Sequence, residues 1–441
     1  MGIQISAEQV AKLSPDDTSN KAGMKMAALK HWTNLGQDEA ALWGECKGSS
    51  STPYKVGIAS STLSTRCSCP SNKYPCKHAL GLLYLTVSSG SSIATTTRPE
   101  WIEQWLNAAT EARQRKEAAA AAKASAPPSA NKAKSMAQRE DKVLAGIEQL
   151  DLWLNDLIRN GLGNLSQQSM GIWDERGAQL INAQAPGLAA RVRSMGAIPF
   201  TSTNWMPKLL GQLGKTALLT EAYQHPERYD DAMRATIRQL VGWTYQEIEI
   251  IQQGERVKDE WLILGQMTEE KDQTYTRRTW LHGLQSQRNA LVLQFSKFQP
   301  AFAATYPLGV KVQAELAFWP GKLAERALII EHSDLQPLPR PLPGAATLAE
   351  LSGQIAQQLS QQPWMERFLC VVRDCVPLHD VESRDWFLQD KTGDTLPLRK
   401  QDGNWEMLIY SGGTPVDFVG EWNGEALLPL ALQAEDSYHL L

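Results

Sequence analysis

The sequence predicts an α+β protein. It has a small ββα module at the N-terminus held by cysteines and a histidine, a helical linker, a helical subdomain, and a mainly antiparallel, β-rich C-terminal domain. Three observations predict this. Three of the six cysteines and one of the seven histidines fall between Arg66 and His78; apolar residues recur every three or four positions from Asp141 to about residue 255; and the period drops to two from about Glu260. With 441 residues the chain exceeds the roughly 100–200 typical of one domain, so more than one core is expected. Its 42% hydrophobic and 21% charged residues exclude a disordered or fibrous class. The divisions read as 1–109 for the N-terminal region, with a module core at about 43–90, then 110–141 for an Ala/Lys-rich linker, 142–255 for a helical domain and 256–441 for the β-rich domain.

The N-terminal module comes first. "YKVGIASSTLSTRCSC" is rich in β-formers, and in an extended chain residues two apart face the same side, so Cys67 and Cys69 present both sulfurs together. "PSNKYP" then reads as a turn bounded by prolines, which brings Cys76 back to the start of an apolar helix, "KHALGLLYLTV". A thiolate is favoured there by the partial positive charge of the helix N-terminus. The pattern C-x-C-x6-C-x-H supplies Cys67, Cys69, Cys76 and His78, and three thiolates with one imidazole form a closed tetrahedral set for Zn²⁺. A disulfide fails on parity, since three neighbouring cysteines cannot all pair. One structural zinc ion is the expected cofactor. With every position filled by protein it leaves no room for a reactive water, so the module is read as a fold-holder and the protein as not an enzyme.

These residues carry a family resemblance. Tyr54 to Leu85 resembles a SWIM zinc finger, whose signature is C-x-C, a variable spacer and C-x-H in a strand–strand–helix frame. The segments "WLNDLIRNGL" and "NAQAPGLA" are similar to the region following the finger in bacterial SWIM proteins. The resemblance implies zinc binding and a role in DNA or protein contacts. It also implies, as partners, a MoxR-type AAA ATPase or a von Willebrand A-domain (VWA) protein.

Around the ligands, Lys55, Arg66, Lys73 and Lys77 interleave with Tyr54 and Tyr74, the combination that phosphate contact and base stacking need. An alternative reading makes the lysines a solvated face and the tyrosines supports for the knuckle. Residues 1–142 hold 18 Lys and Arg against 12 Asp and Glu, and the remainder 26 against 36, so the front is mildly basic and the back acidic. That balance permits nucleic acid as a partner without requiring it.

The linker, "EARQRKEAAAAAKASAPPSANKAKSMAQRE", is nearly free of large apolar residues. Its helix-forming first half extends from near Trp101, and Pro127 and Pro128 stop it. Next, "DKVLAGIEQLDLWLNDLIRNGLG" is an amphipathic helix with glycines at its end, and "WDERGAQLINAQ", "GLAARVRSM", "GQLGKTALLTEAYQ" and "DDAMRATIRQLVGW" continue the period. The following strands are "EWLILGQMTEE", "QTYTRRTWLHG", "ALVLQFSKF", "VKVQAELAFW" and "ALIIEH". After a helix near 346–360 come "RFLCVVRDC", "DWFLQD", "LPLRK", "WEMLIYS" and "PVDFVGEW" as further strands.

Gly214-Lys215-Thr216 is no phosphate loop, because the position five residues before Gly214 is Leu209. Cys46 lies near the finger as a fourth thiol, a fifth candidate ligand that the four already present make superfluous, and Cys370 and Cys375 read as core packing. Of fifteen tryptophans, Trp280, Trp319, Trp386, Trp405 and Trp422 sit in strand or turn contexts and are read as core. The longest apolar run, Ala79 to Val87, is far short of the ~20 residues that cross a bilayer. The N-terminus lacks the pattern of a secretory signal, so a cytoplasmic protein with reduced thiols and no membrane partner is expected. The leading functional expectation is a zinc-binding, non-enzymatic interaction scaffold or adaptor. The alternatives are a nucleic-acid-binding protein acting through the finger, and an enzyme whose site lies in the C-terminal domain.

Overall fold

The computed structural model describes residues 5–441 except 6, 16, 48–51, 61–62, 72, 90–92, 109–129, 164, 166–170, 202–203, 299–301, 303–305, 402 and 435–436. In the N-terminal region α1 (Ala7–Leu13) and α2 (Asp17–Lys25) precede an antiparallel sheet of β1 (Trp32–Gln37), β2 (Ala41–Cys46), β3 (Tyr54–Ala59) and β4 (Thr65–Cys67), joined in that order. The ββα frame of the finger is thus the far half of a four-stranded sheet. Two helices cover its faces. On one side α3 (Lys77–Ser89) packs Leu80 and Leu83 against Leu42, Val56 and Ile58; on the other, helix α4 (residues 100–108) sets Ile102 against Ala41 and Trp43. Alternation along β2 and β3 feeds both cores at once, as a sheet covered on both faces requires.

The helical domain comprises α5 (Ala130–Asn160), α6 (Gly171–Asn182), α7 (Pro186–Met195), a short α8 (Ile198–Thr201), α9 (Trp205–Gln224), α10 (Asp231–Val241) and α11 (Glu247–Gln253). The core predicted by the three-and-four spacing is realised by Val143, Ile147, Leu150 and Leu154 of α5, packed with Leu180, Leu188, Val192, Leu213 and Ile237. One boundary moves. Helix α5 starts at Ala130, inside the segment read as linker, because the residues after the double proline are good helix formers with no Gly or Pro among them. The rest of that linker, and the continuation of the helix from Trp101, lie outside the described residues. Arg139 fastens α5 to the bundle by stacking on Trp243 at 3.9 Å and donating to the Gly242 carbonyl at 3.0 Å. Gly214-Lys215-Thr216 lies inside α9, where the Thr216 hydroxyl donates to the Gln212 carbonyl at 2.8 Å, as an ordinary helix residue does.

Helices α7 and α10 meet at Gly187, where a Cβ would come within 2.1 Å of the Leu240 carbonyl oxygen. Backbone cannot yield as a side chain can. Gly187→Ala is therefore expected to cost about 1–3 kcal/mol, read as a lower urea midpoint for the bundle with unchanged helical content.

The C-terminal domain holds two large antiparallel sheets. The first runs β7-β6-β5-β8-β9, from β5 (Glu255–Lys271), β6 (Thr274–Gly283), β7 (Asn289–Lys297), β8 (Val310–Phe318) and β9 (Ala327–Pro337). Next along the chain are α12 (Leu348–Gln361), β10 (Phe368–His379), β11 (Trp386–Gln389), β12 (Thr395–Leu398), α13 (Asn404–Ser411), β13 (Val416–Trp422), β14 (Leu427–Ala434) and β15 (Ser437–Leu440), with the second sheet ordered β12-β11-β10-β13-β14-β15. The sheets face each other through Leu262, Leu264 and Trp280 on one side and Leu369, Val371, Val419 and Leu430 on the other. Each sheet also curls onto itself through one short parallel contact: Leu291 with Arg326 between β7 and the start of β9, and Leu398 with Leu427 between β12 and β14.

Two strand assignments change. "WEMLIYS" is the helix α13, since Met407 and Tyr410 share an inward face at helical spacing and Gly412, at φ 58°, ends the helix in the left-handed conformation. Strand β14 went unread because it is buried at every position, which removes the alternation that marks a half-exposed strand. Of the five tryptophans read as core, Trp280, Trp319 and Trp386 are buried and Trp422 is half-buried, but Trp405 is 57% exposed. Cys370 and Cys375 are buried on β10, as expected, and burial pushes both thiols up to about 12.

Candidate metal centre

Local hydrogen bonds fold the ligand loop. Strand β4 pairs with β3, placing Cys67 opposite Val56. Ser68 is tied to Lys55 twice, its amide donating to the Lys55 carbonyl at 3.0 Å and its hydroxyl accepting from the Lys55 amide at 2.9 Å. With Ser68 pinned to the neighbouring strand, Cys67 and Cys69 turn to the same side. Tyr74 closes the turn by bonding both backbone groups of Thr65, donating to the carbonyl at 2.8 Å and accepting from the amide at 2.9 Å. Cys76 immediately precedes α3, its carbonyl accepting from Leu80, and His78 is the second residue of that helix.

The four predicted ligands meet. The Sγ atoms of Cys67, Cys69 and Cys76 and a ring nitrogen of His78 all lie within 4.8 Å of one another, and Cys67 Sγ stands 3.8 Å from His78 Nδ1. Two donors on one tetrahedral Zn²⁺ stand about 3.5–3.8 Å apart, so the donor set and spacing fit one structural zinc ion. Cys76 and His78 are each only 4% exposed, and Cys67 and Cys69 are half-buried. Without metal the thiols compete for protons. Hydrogen bonding from Cys67 holds the Cys76 thiol well below its usual range, aided by His78 and the Ala79 amide, whereas the hydrogen bond with Cys76 together with burial pushes Cys67 up. Cys46 is outside this group: it is buried at the end of β2, burial raises its pKa, and its thiol points to the Lys47 carbonyl at 3.8 Å.

The proposed contact residues divide by exposure. Lys55, Arg66, Lys73 and Lys77 are exposed; Tyr54 and Tyr74 are half-buried. Tyr54 lays its ring 5.0 Å from that of His78, and Tyr74 is spent on Thr65. Both tyrosines thus orient the knuckle. The Tyr54–His78 pair spans 24 positions and was legible only as a neighbouring aromatic.

The N-terminal region also faces the β-rich domain. Tyr74 and Pro75 line a cavity of about 280 Å³ shared with Gln266, Tyr275, Arg277 and Phe302, and Gln9 Nε2 donates to the Leu308 carbonyl at 2.6 Å.

A strand–knuckle–helix frame with four protein ligands converging on one point defines a zinc-finger protein whose metal site is closed and structural. Comparison with known families agrees: residues 54–86 match the SWIM zinc finger, and residues 138–241 match the SWIM-associated four-helix bundle domain. The chain thus carries a SWIM zinc finger followed by a SWIM-associated four-helix bundle domain, in the order the sequence resemblance implies. No curated protein and no solved structure matches it. Among the described residues no helix is long and apolar enough to cross a membrane.

Proposed function

We propose that the chain is a non-enzymatic protein-interaction adaptor, in which zinc sets the shape of the front and the β-rich domain docks a protein partner. The observation that carries this reading is Trp405. Its ring packs 5.0 Å from Trp386 and 4.9 Å from His379, which fixes its orientation while leaving it 57% exposed. Ile409, one turn along α13, is 74% exposed, and Val381, just past β10, is 81% exposed. A rigid, half-open indole beside exposed aliphatic residues supports a partner anchor, because such rings bring large contact area at little entropic cost. Candidate partners are those the resemblance implies, a MoxR-type ATPase or a VWA-domain protein. Affinity capture with the intact chain, Trp405→Ala and Cys76→Ser tests it. The partner is expected to be retained by the intact chain and reduced at least about tenfold by Trp405→Ala; identical capture by all three would overturn the reading.

Nucleic-acid binding through the finger is the second reading, favoured by the exposed cations Lys55, Arg66, Lys73 and Lys77. Its stacking residues, Tyr54 and Tyr74, are half-buried and engaged with His78 and Thr65, so phosphate contact carries most of this reading. Anisotropy of labelled duplex and single strands decides: affinity that falls steeply with salt supports it, and no binding at low salt removes it.

A further inference from the structure

A cavity of about 300 Å³ opens where the helical bundle meets the first large sheet and the segment leading into β10. It belongs to neither the metal centre nor the Trp405 face. Its walls come from α7 and α10 of the bundle, from β6 and β7, from the turn between β8 and β9, and from the segment joining α12 to β10. Cross-domain bonds hold those walls at fixed separation. Trp364 Nε1 donates to the Lys215 carbonyl at 2.9 Å, the Lys322 amide donates to Thr236 Oγ1 at 2.8 Å, and Arg191 pairs with Glu366 at 3.0 Å.

The lining has a definite chemistry. Trp280, Trp319 and Trp364 stand behind the cavity walls, 1%, 4% and 3% exposed, and the half-exposed Leu240, Leu291 and Leu323 give the apolar surface a ligand meets. Four cations surround the cavity. Lys322 is paired with Asp230 at 3.2 Å, Arg367 with Glu421 at 3.2 Å and Arg191 with Glu366. Arg326 differs. Its guanidinium stacks on Trp319 at 4.1 Å, its Nε is buried with no hydrogen-bond partner, and Glu247 acts on it only at longer range. Arg191, with 9% side-chain exposure, likewise keeps Nη1 buried and unpartnered.

We propose that this cleft binds a small apolar acid, whose anionic group is drawn by Arg326 and whose apolar body lies against Leu240, Leu291 and Leu323. Such an acid matches both halves of the lining: the cation supplies charge and the aliphatic side chains supply apolar contact. Glu325 tunes the site. Burial pushes its carboxyl up to about 8, with Asn289 as its hydrogen-bond partner, so near neutrality it is uncharged and does not repel an anion. The groups facing it from other elements are Glu421 of β13, held by Arg278 and Arg367, and Cys370 of β10; Asn289 of β7 in turn bonds His282 of β6. Within the cavity lining, Arg191, Lys322, Arg326 and Glu366 complete the charged surround.

Titration calorimetry of the full chain with 2-naphthoate, indole-3-acetate and benzoate tests this, with neutral 2-naphthylmethanol as the uncharged control. At least one acid is expected to bind saturably with one site, about tenfold or more tighter than the alcohol. Arg326→Gln is expected to lose about tenfold or more of that affinity. Leu291→Trp, which fills the cleft from the β7 side, is expected to lose binding of acid and alcohol alike. Affinity should fall as pH rises through about 8, where Glu325 gains its charge, and Glu325→Gln should abolish that fall. No saturable binding by any of the acids, equal binding of the alcohol, or full affinity in a folded Leu291→Trp variant would each overturn the proposal.

Discussion

Stripping the zinc is expected to unfold the front of the protein and leave the back standing. The ligands come from β4, from the turn after it and from the start of α3, so without the ion three thiols and an imidazole are crowded within 4.8 Å with no common partner. Metal binding in small modules is largely folding energy, on the order of 10 kcal/mol at neutral pH, comparable to the whole stability of a domain. Hydrogen exchange with and without a strong chelator should show protection lost across residues 32–89 and kept in β5, β10 and β13. Cys76→Ser and His78→Ala should each purify with well under one equivalent of zinc, while Cys46→Ser should keep the full complement, since Cys46 is directed at the Lys47 carbonyl. A Cys76→Ser protein that retains one equivalent would refute the assignment of that ligand.

The second large effect should come from the charged cluster between the two sheets. Glu421 and Arg278 are 4% and 5% exposed and meet through two hydrogen bonds of 3.0 and 3.1 Å. Glu421 also accepts from Trp280 Nε1 at 2.8 Å, and Arg278 reaches Glu269 on the adjoining strand at 2.8 Å. Cutting one partner leaves the other charge buried. Arg278→Met is accordingly expected to destabilise by about 3–5 kcal/mol in urea titration. The double variant Arg278→Met/Glu421→Met should recover much of that loss, because replacing both charges removes the desolvation penalty along with the attraction. A single variant as stable as the wild type would mean that the pair stands in water after all.

How much of this was legible in the sequence follows from how local each feature is. The metal centre was fully legible because all four ligands fall within twelve residues, and strand and helix periods alone fix which way they point. The bundle was legible because its helices are amphipathic, and Val143, Ile147 and Leu150 announce the buried side by spacing. Strand β14 was not, since burial of both faces erases the alternation. Helix α13 was misread because "WEMLIYS" is short and rich in residues that suit either state, and its ending by Gly412 decides the matter only in three dimensions. The Arg278–Glu421 pair joins positions 143 apart. The cleft around Arg326 gathers residues from Arg191 to Arg367, and no local pattern announces such a convergence. Tyr54 and Tyr74 stand beside the ligands as their place in the sequence implies, but their engagement with His78 and Thr65 has no signature in the sequence.

The inward curl of both large sheets bears on how any partner can be engaged. A flat antiparallel sheet offers rows of unsatisfied amides at its borders, which foreign peptides can extend by strand addition. Here Leu291 donates its amide to Glu325 and Arg399 donates to Leu427, so borders that would otherwise lie open are partly knitted into the same molecule. Recognition by β-augmentation is thereby disfavoured, along with the edge-to-edge polymerisation it invites.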